Sequence, residues 1–183
     1  MFSHKVDDDT ELRLIEPHHV DQLDALIEQN RDHIKEWSAW LKDDHSIEHT
    51  RDFIRRNLMQ FADNKGFAIA IWHQGEMAGQ IEYNHFDWAN RKTEIGYWLG
   101  ASFQGKGLVT KSCRVLIDHA FNELKLNRVE MRCGAGNTRS RKIPDKLGFR
   151  EEGVVRQAEW LHDRFVDLVV YGMLASEWNG EKS

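Results

Sequence analysis

The spacing of hydrophobic residues changes period several times along the chain, and each change marks an element. Residues 10–15 alternate in the manner of a half-buried strand. Pro17 then opens a helix running to about residue 30, since a proline in the first turn gives up no helical hydrogen bond. Ile34, Trp37, Trp40 and Leu41 predict a second helix over 32–40, and Ile47, Phe53, Ile54, Leu58 and Phe61 a third over 46–62; these helices share an apolar face. Period two returns over 67–73, 77–88 and 93–99. Polar turns at Gln74-Gly75 and at residues 89–91 join these runs, which predicts an antiparallel meander. Val109, Cys113, Leu116, Ala120 and Leu124 recur on one helical face, so an amphipathic helix is expected over 107–123. A strand over 128–133, a short helix over 137–147 and strands over 149–155 and 164–174 complete the pattern.

That order, strand and helices first, then meander, helix, strand, helix and two strands, is mixed α/β around one central sheet. With 183 residues, 40% hydrophobic and 30% charged, the chain reads as one domain over 1–183 with a core at about 10–175. No apolar run approaches the roughly 20 residues of a membrane span, and the first nine residues are polar and acidic, so a cytoplasmic protein without a membrane partner is expected. Cys113 and Cys133 fall in apolar elements without CxxC spacing and read as buried free thiols. A formal charge of -5 and the absence of a basic stripe argue against a nucleic-acid partner and suit a cationic amine.

The most informative segment is Gln104-Gly105-Lys106-Gly107-Leu108-Val109-Thr110, which joins a strand to the amphipathic helix. Glycines let backbone N–H groups turn inward, and a helix start adds free donors and partial positive charge, so a phosphate-bearing ligand fits; a simple tight turn fits as well. A nucleotide-hydrolase loop fails at Thr110, where its last glycine belongs, and Gly134-Ala135-Gly136 fails as a dinucleotide fingerprint at Arg139. His45, Glu48 and His49 spell a zinc-peptidase pattern, but Ser46 reads as a helix cap that leaves His45 off the helix, so no metal is expected there.

Gln104 and Gly107, at a strand-to-helix junction, resemble the Q/R-x-x-G-x-G/A signature of the GNAT superfamily, with Val109 departing at the final small position. Asn137, Ser140 and Leu147-Gly148-Phe149 resemble the second ordered block of that superfamily, with Pro144 inside its helix. Glu94 to Leu99, Leu126 to Val129 and Gln157 to Leu161 resemble the RimJ/RimL-type branch, which acetylates N-termini of ribosomal proteins. The resemblance implies a mostly antiparallel twisted sheet, flanked by helices, whose fourth and fifth strands (93–99 and 128–133) splay apart. It also implies acetyl-CoA as cosubstrate, held by backbone groups from Gln104 to Thr110, by the main chain at Trp98 and Leu99, and by Asn137.

The implied chemistry is direct attack of a neutral amine on the thioester, with a base for the ammonium and a donor for the thiolate. Glu159 matches a glutamate that looks catalytic in the RimL-type branch, and Glu94 is the competing base. Ser140 is a candidate donor to the thiolate or a partner of the helix-start backbone. An α-amine titrates near 7.8 and a lysine near 10.4, so an N-terminal acceptor asks about 3.5 kcal/mol less of the base. Trp37 and Trp40 are the expected substrate wall; the other tryptophans read as core or lid, and the remaining histidines as solvated or capping. Within this class the acceptor is a protein N-terminus, or else a polyamine or other small amine. Outside it stands a non-catalytic CoA-binding regulatory module. A homodimer or higher homo-oligomer is compatible with the resemblance.

Overall fold

The computed structural model describes residues 3–180. β1 (Ser3–Lys5) and β2 (Thr10–Leu14) lead through a 3-10 turn at Pro17–His19 into α1 (Val20–Gln29), α2 (Arg31–Lys35) and α3 (Ile47–Ala62). The meander is β3 (Phe67–His73), β4 (Glu76–Asp87) and β5 (Lys92–Leu99), followed by α4 (Leu108–Asp118), β6 (Arg128–Gly134), α5 (Thr138–Lys146), β7 (Arg150–Leu161) and β8 (Arg164–Leu174). The eight strands form one sheet in the order β1-β2-β3-β4-β5-β6-β8-β7, antiparallel except for the β5–β6 pair. The mixed α/β expectation is borne out.

Alternation along the strands sorts residues to two layers. Ile71, Ile81, Tyr83, Ile95, Val129 and Met131 face α4 and α5, meeting Leu108, Cys113, Leu116 and Ile117. Ala68, Ala70, Trp72 and Met77 face Leu23, Ile27, Ile34 and Ile54 of α1–α3. Small residues at 68 and 70 let α3 approach closely. The buried Asn57 clasps β3 there, donating to Ala68 O at 2.9 Å and accepting from Ala68 N at 2.5 Å.

Three expectations need correction, and one strand goes unread in the sequence. The second helix ends at Lys35 rather than Trp40, because Trp37 and Trp40 are drawn onto the sheet instead of a helical face. α4 stops at Asp118 and continues as a π turn over His119–Glu123, where Tyr83 Oη bonds Leu116 O and lies 3.1 Å from His119 Nδ1. β7 runs on to Leu161 through register shifts at Glu151/Gly153 and Val155/Glu159, so bulges hide its length from a period-two reading. β1, which pairs with β2 from Ser3 to Lys5, carries too little apolar residue to be read as a strand.

Two histidines cap helix starts. Glu16 N donates to His19 Nδ1 at 3.0 Å and Ser46 N to His49 Nδ1 at 3.1 Å, each satisfying a donor that the first turn leaves open. Ser46 is the N-cap residue of α3, as expected. His19 is buried, and burial followed by the charge of His18 holds it below the usual imidazole range. A folded-state pKa below the unfolded one means stability is fully present above about pH 6.5 and is lost as pH falls toward the folded value. Thermal unfolding followed by circular dichroism is expected to show this as a fall in Tm below about pH 6.5. His19→Gln keeps an acceptor that does not titrate and should recover about 1 kcal/mol, a typical cap contribution; an unchanged pH profile in that variant would rule the cap out as its source.

Candidate active site

β5 and β6 pair only at Lys92↔Arg128, Thr93↔Val129 and Glu94↔Glu130, and then part. This is the expected splay. On its α4/α5 side, Tyr97, Cys133 and Ser140 converge. Tyr97 Oη donates to Ser140 O at 3.1 Å, while Ser140 Oγ lies 3.2 Å from Tyr97 Oη and 3.3 Å from Cys133 Sγ. With the tyrosine proton committed to the carbonyl, the serine proton is directed at the tyrosine oxygen or the sulfur. Pro144 explains the first bond: it has no N–H, so Ser140 O, four residues earlier, lacks its regular helical donor, and the Tyr97 hydroxyl supplies one. Burial, reinforced by the two cysteine sulfurs, pushes Tyr97 well above the usual phenol range and keeps its proton in place. Cys113 and Cys133 are free and buried, and burial raises both thiols. Asn137 caps α5, its Oδ1 accepting from Ser140 N at 3.1 Å.

The opposite side of the gap is acidic. Glu94 accepts from Asn84 Nδ2 at 2.6 Å and pairs with Arg132 Nε at 3.2 Å; Arg132 also reaches Glu130 at 3.2 Å. Both oxygens of Glu94 are thus engaged. Glu159 stands beside the second β7 bulge, half-buried, with no cation paired to it among the described residues. Burial, then the charge of Glu94, hold it above the usual carboxylate range. The segment after α2 crosses this side. Trp40 packs against Trp98 with ring centroids 6.3 Å apart. The Trp37 indole fills the space that side chains at Gly134 and Gly136 would need, since a Cβ there would stand 2.9 and 3.0 Å from it. The two tryptophans therefore lie on opposite lips of the gap. His162 Nε2, 3.0 Å from Lys35 O, ties the β7–β8 hairpin to the same segment.

The glycine turn lies at the mouth. Trp98 and Leu99 end β5, a 3-10 turn covers Ala101–Phe103, and Gly105 and Gly107 take φ of 78° and 75°, left-handed values that favour glycine. Gly107 is the N-cap of α4, so the amides of the first turn point out of the loop unpaired. Gln104 is braced, with Nε2 2.7 Å from His33 Nε2 and Oε1 accepting from Arg139 Nη1 at 2.9 Å. Lys106 and Arg139 add positive charge, whereas Leu108 and Val109 bury their side chains and offer only backbone; Thr110 is half-buried. Val109 thus departs from the signature without entering the loop. Lys111 pairs with Asp7 at 2.5 Å and Ser112 is fully buried, which removes the two side chains a nucleotide-hydrolase loop would use.

Metal-like patterns are engaged elsewhere. His45 lies outside α3, 3.3 Å from Asp24 Oδ1, and His49 is a cap. Ligand atoms of Glu16, His18 and His19 fall within 4.8 Å of one another, but His19 Nδ1 already accepts a backbone N–H, which leaves the proton on Nε2. The structure brings together Glu159, Glu94, Ser140, Asn137, Trp37, Trp40 and the loop from Gln104 to Thr110. Sequence reasoning misses Tyr97, Arg132, Asn84 and Arg139. Period-two alternation in β5 sets Tyr97 on the face of Ile95 and is the one available signal.

A mixed sheet parted at its parallel pair, with a glycine turn at a helix start in the gap, is built to hold an extended anionic ligand against an acceptor. Residues 10–150 match the family model described as acetyltransferase (GNAT) domain. The chain belongs to this family and is an N-acetyltransferase. It is 39% identical over the whole of both chains to the Bacillus subtilis protein named "Putative ribosomal N-acetyltransferase YdaF". It is also 31% identical to the Escherichia coli ribosomal-protein-serine acetyltransferase, over 93% of this chain and 95% of that one. A solved structure of RimL, the ribosomal L7/L12 alpha-N-protein acetyltransferase, in complex with coenzyme A superposes with a TM-score of 0.89 at 29% identity, covering 93% of this chain and 96% of that one.

Proposed function

We propose that this protein transfers the acetyl group of acetyl-CoA to the N-terminal α-amine of a ribosomal protein, by direct attack within a ternary complex. The observation that carries the reading is the gap itself: a hydroxyl donor, Ser140, lies on one side and an unpaired, half-buried carboxyl, Glu159, on the other. The names of the relatives supply the acceptor class. Among the described residues no helix is long and apolar enough to cross a membrane, and a ribosomal acceptor suits action in the cytoplasm by a single domain.

In this reading the amides from Gln104 to Thr110, aided by Lys106 and Arg139, hold the pyrophosphate. The main chain at Trp98 and Leu99, freed from pairing with β6, and the Asn137 amide nitrogen take the pantetheine arm. Trp37 and Trp40 wall the acceptor. The amine nitrogen bonds to the acetyl carbon as the carbon–sulfur bond breaks. Glu159, directly or through water, takes the proton from nitrogen, and Ser140 gives one to the departing thiolate. No step calls on a metal. Glu94 is the weaker candidate base because both its oxygens are occupied.

The test is free-thiol release from acetyl-CoA against serine- and alanine-starting peptides of ribosomal proteins, polyamines and aminoglycosides. Turnover on peptides alone supports the reading. Turnover on polyamines alone keeps the chemistry and replaces the acceptor, an outcome the acidic side of the gap would suit. Tight acetyl-CoA binding without turnover on any amine would make the protein a non-catalytic binding module.

A further inference from the structure

On the acceptor side of the gap, β4 presents Gln80, Glu82 and Asn84 in a row. Across the ladder, Gln80 faces Trp98, Glu82 faces Gly96, and Asn84 bonds Glu94. Gly96 has no unusual backbone angle; what it supplies is volume. A Cβ at Gly96 would stand 2.9 Å from Asn84 Oδ1 and 3.4 Å from Glu82 Oε1. The Glu82 carboxyl therefore leans over β5 at a point just past Glu94↔Glu130, the last pair before β6 departs, and on the side away from β4 lies the gap.

Unlike Glu94 and Glu130, Glu82 forms no ion pair with a lysine, arginine or histidine of the described residues. Burial, opposed by a hydrogen bond from Gln80 and reinforced by the charge of Glu94, holds it above the usual carboxylate range. A half-buried carboxyl crowded by a second one and lacking a counter-ion is costly as an anion, and an arriving cation relieves that cost. The structure thus holds two unpaired carboxyls that both feel Glu94: Glu82 on the β4 side of the gap and Glu159 on the β7 side. One base is enough to deprotonate an amine, so the second has a different task.

We infer that Glu82 is the acceptor-binding carboxyl, which receives the substrate amine as its ammonium ion across Gly96; Glu159 takes one proton before attack to free the nitrogen lone pair, and the second N–H proton leaves as the amide forms and replaces the one that Ser140 gives the thiolate. This division rests on the N-acetyltransferase reading of the gap. It makes the protonated primary amine, the dominant form of an α-amine below about pH 7.8, the species that binds. Gly96 is the specificity-determining position, since any side chain there stands between Glu82 and its ligand.

Steady-state kinetics on a seryl peptide, with acetyl-CoA affinity measured by calorimetry for every variant, test this. Glu82→Gln is expected to raise the acceptor KM roughly tenfold or more, as loss of a charge-assisted hydrogen bond implies, with a smaller change in kcat and unchanged acetyl-CoA affinity. Glu82→Asp should recover part of the loss. Gly96→Ala, whose Cβ would crowd Asn84 Oδ1 and the Glu82 carboxyl, should also raise the acceptor KM. A wild-type enzyme that acetylates peptides alongside a Glu82→Gln variant of unchanged acceptor KM overturns the role of Glu82 alone. A fall in kcat with KM unchanged overturns it too. A wild type that acetylates no amine overturns the acetyl-transfer reading and this inference with it.

Discussion

Glu159→Gln is expected to lower kcat by about a hundredfold or more, the usual span of a lost general base, while leaving acetyl-CoA affinity intact. The carboxyl is held above its ordinary range by burial and by Glu94, and only the ionised form accepts a proton. The kcat/KM profile of the wild type should therefore fall on the acid side at a pH above that of a free glutamate, and Glu159→Gln should lose that limb. Stability moves the other way. A carboxyl whose folded-state pKa is raised binds protons more readily folded than unfolded, so it favours folding in acid and weighs against it as pH rises through the folded value. The same Glu159→Gln change should thus leave Tm at neutral pH unchanged or slightly higher. A variant that loses activity together with several degrees of Tm would show a structural role instead, and retained activity would move the base elsewhere, with Glu94 next in line.

Tyr97→Phe is expected to destabilise the protein by about 1–3 kcal/mol, the penalty for a carbonyl left without a donor, and to lower kcat by loosening Ser140. The carbonyl in question is Ser140 O, and it depends on Tyr97 only because Pro144 has no N–H to offer. Pro144→Ala returns that N–H. In a protein already carrying Pro144→Ala, the same Tyr97→Phe change should therefore cost markedly less, and urea unfolding of the four proteins measures the coupling directly. Additive effects would mean that the tyrosine and the proline act independently. The kinetic side of the cycle tests the proton arrangement: with the Tyr97 hydroxyl released from the carbonyl in Pro144→Ala, its proton competes with that of Ser140 for the same acceptors.

Much of this was legible in the sequence. The bounds of β3 and β8 follow from alternation, and the end of β3 also from its turn, where Gln74 and Gly75 take φ of 51° and 84° and close a tight hairpin that Gln74 N braces by donating to Asp9 O. The loop from Gln104 to Thr110 was legible because its chemistry is local: two left-handed glycines and a helix start. What was hidden depends on partners distant in the chain. Pro144 looks like a fault in α5, and its remedy is 43 positions before the carbonyl it affects. Glu82 is an ordinary strand carboxylate until the register sets Gly96 against it. Trp37 and Trp40 are expected at the acceptor and are found on the lips of the gap, but their helix is not; the glycines at 134 and 136 that receive Trp37 are the ones that fail as a nucleotide motif. Neither feature can be derived from its own segment.

The parting of β5 from β6 also bears on how the protein behaves between reactions. From Ile95 to Leu99, β5 has a ladder partner only in β4, so its other side is a strand edge set inside the sheet rather than at its rim. Exposed edges of this kind recruit other chains, and proteins normally blunt them. Here the covering is the Trp37 to Trp40 segment, next to which His162 of the β7–β8 hairpin bonds Lys35 O, and, in the reading above, the cosubstrate lying along the strand. On that reading colloidal behaviour becomes a function of ligand supply: saturating acetyl-CoA is expected to lower self-association of the enzyme, and light scattering with and without the cosubstrate measures it.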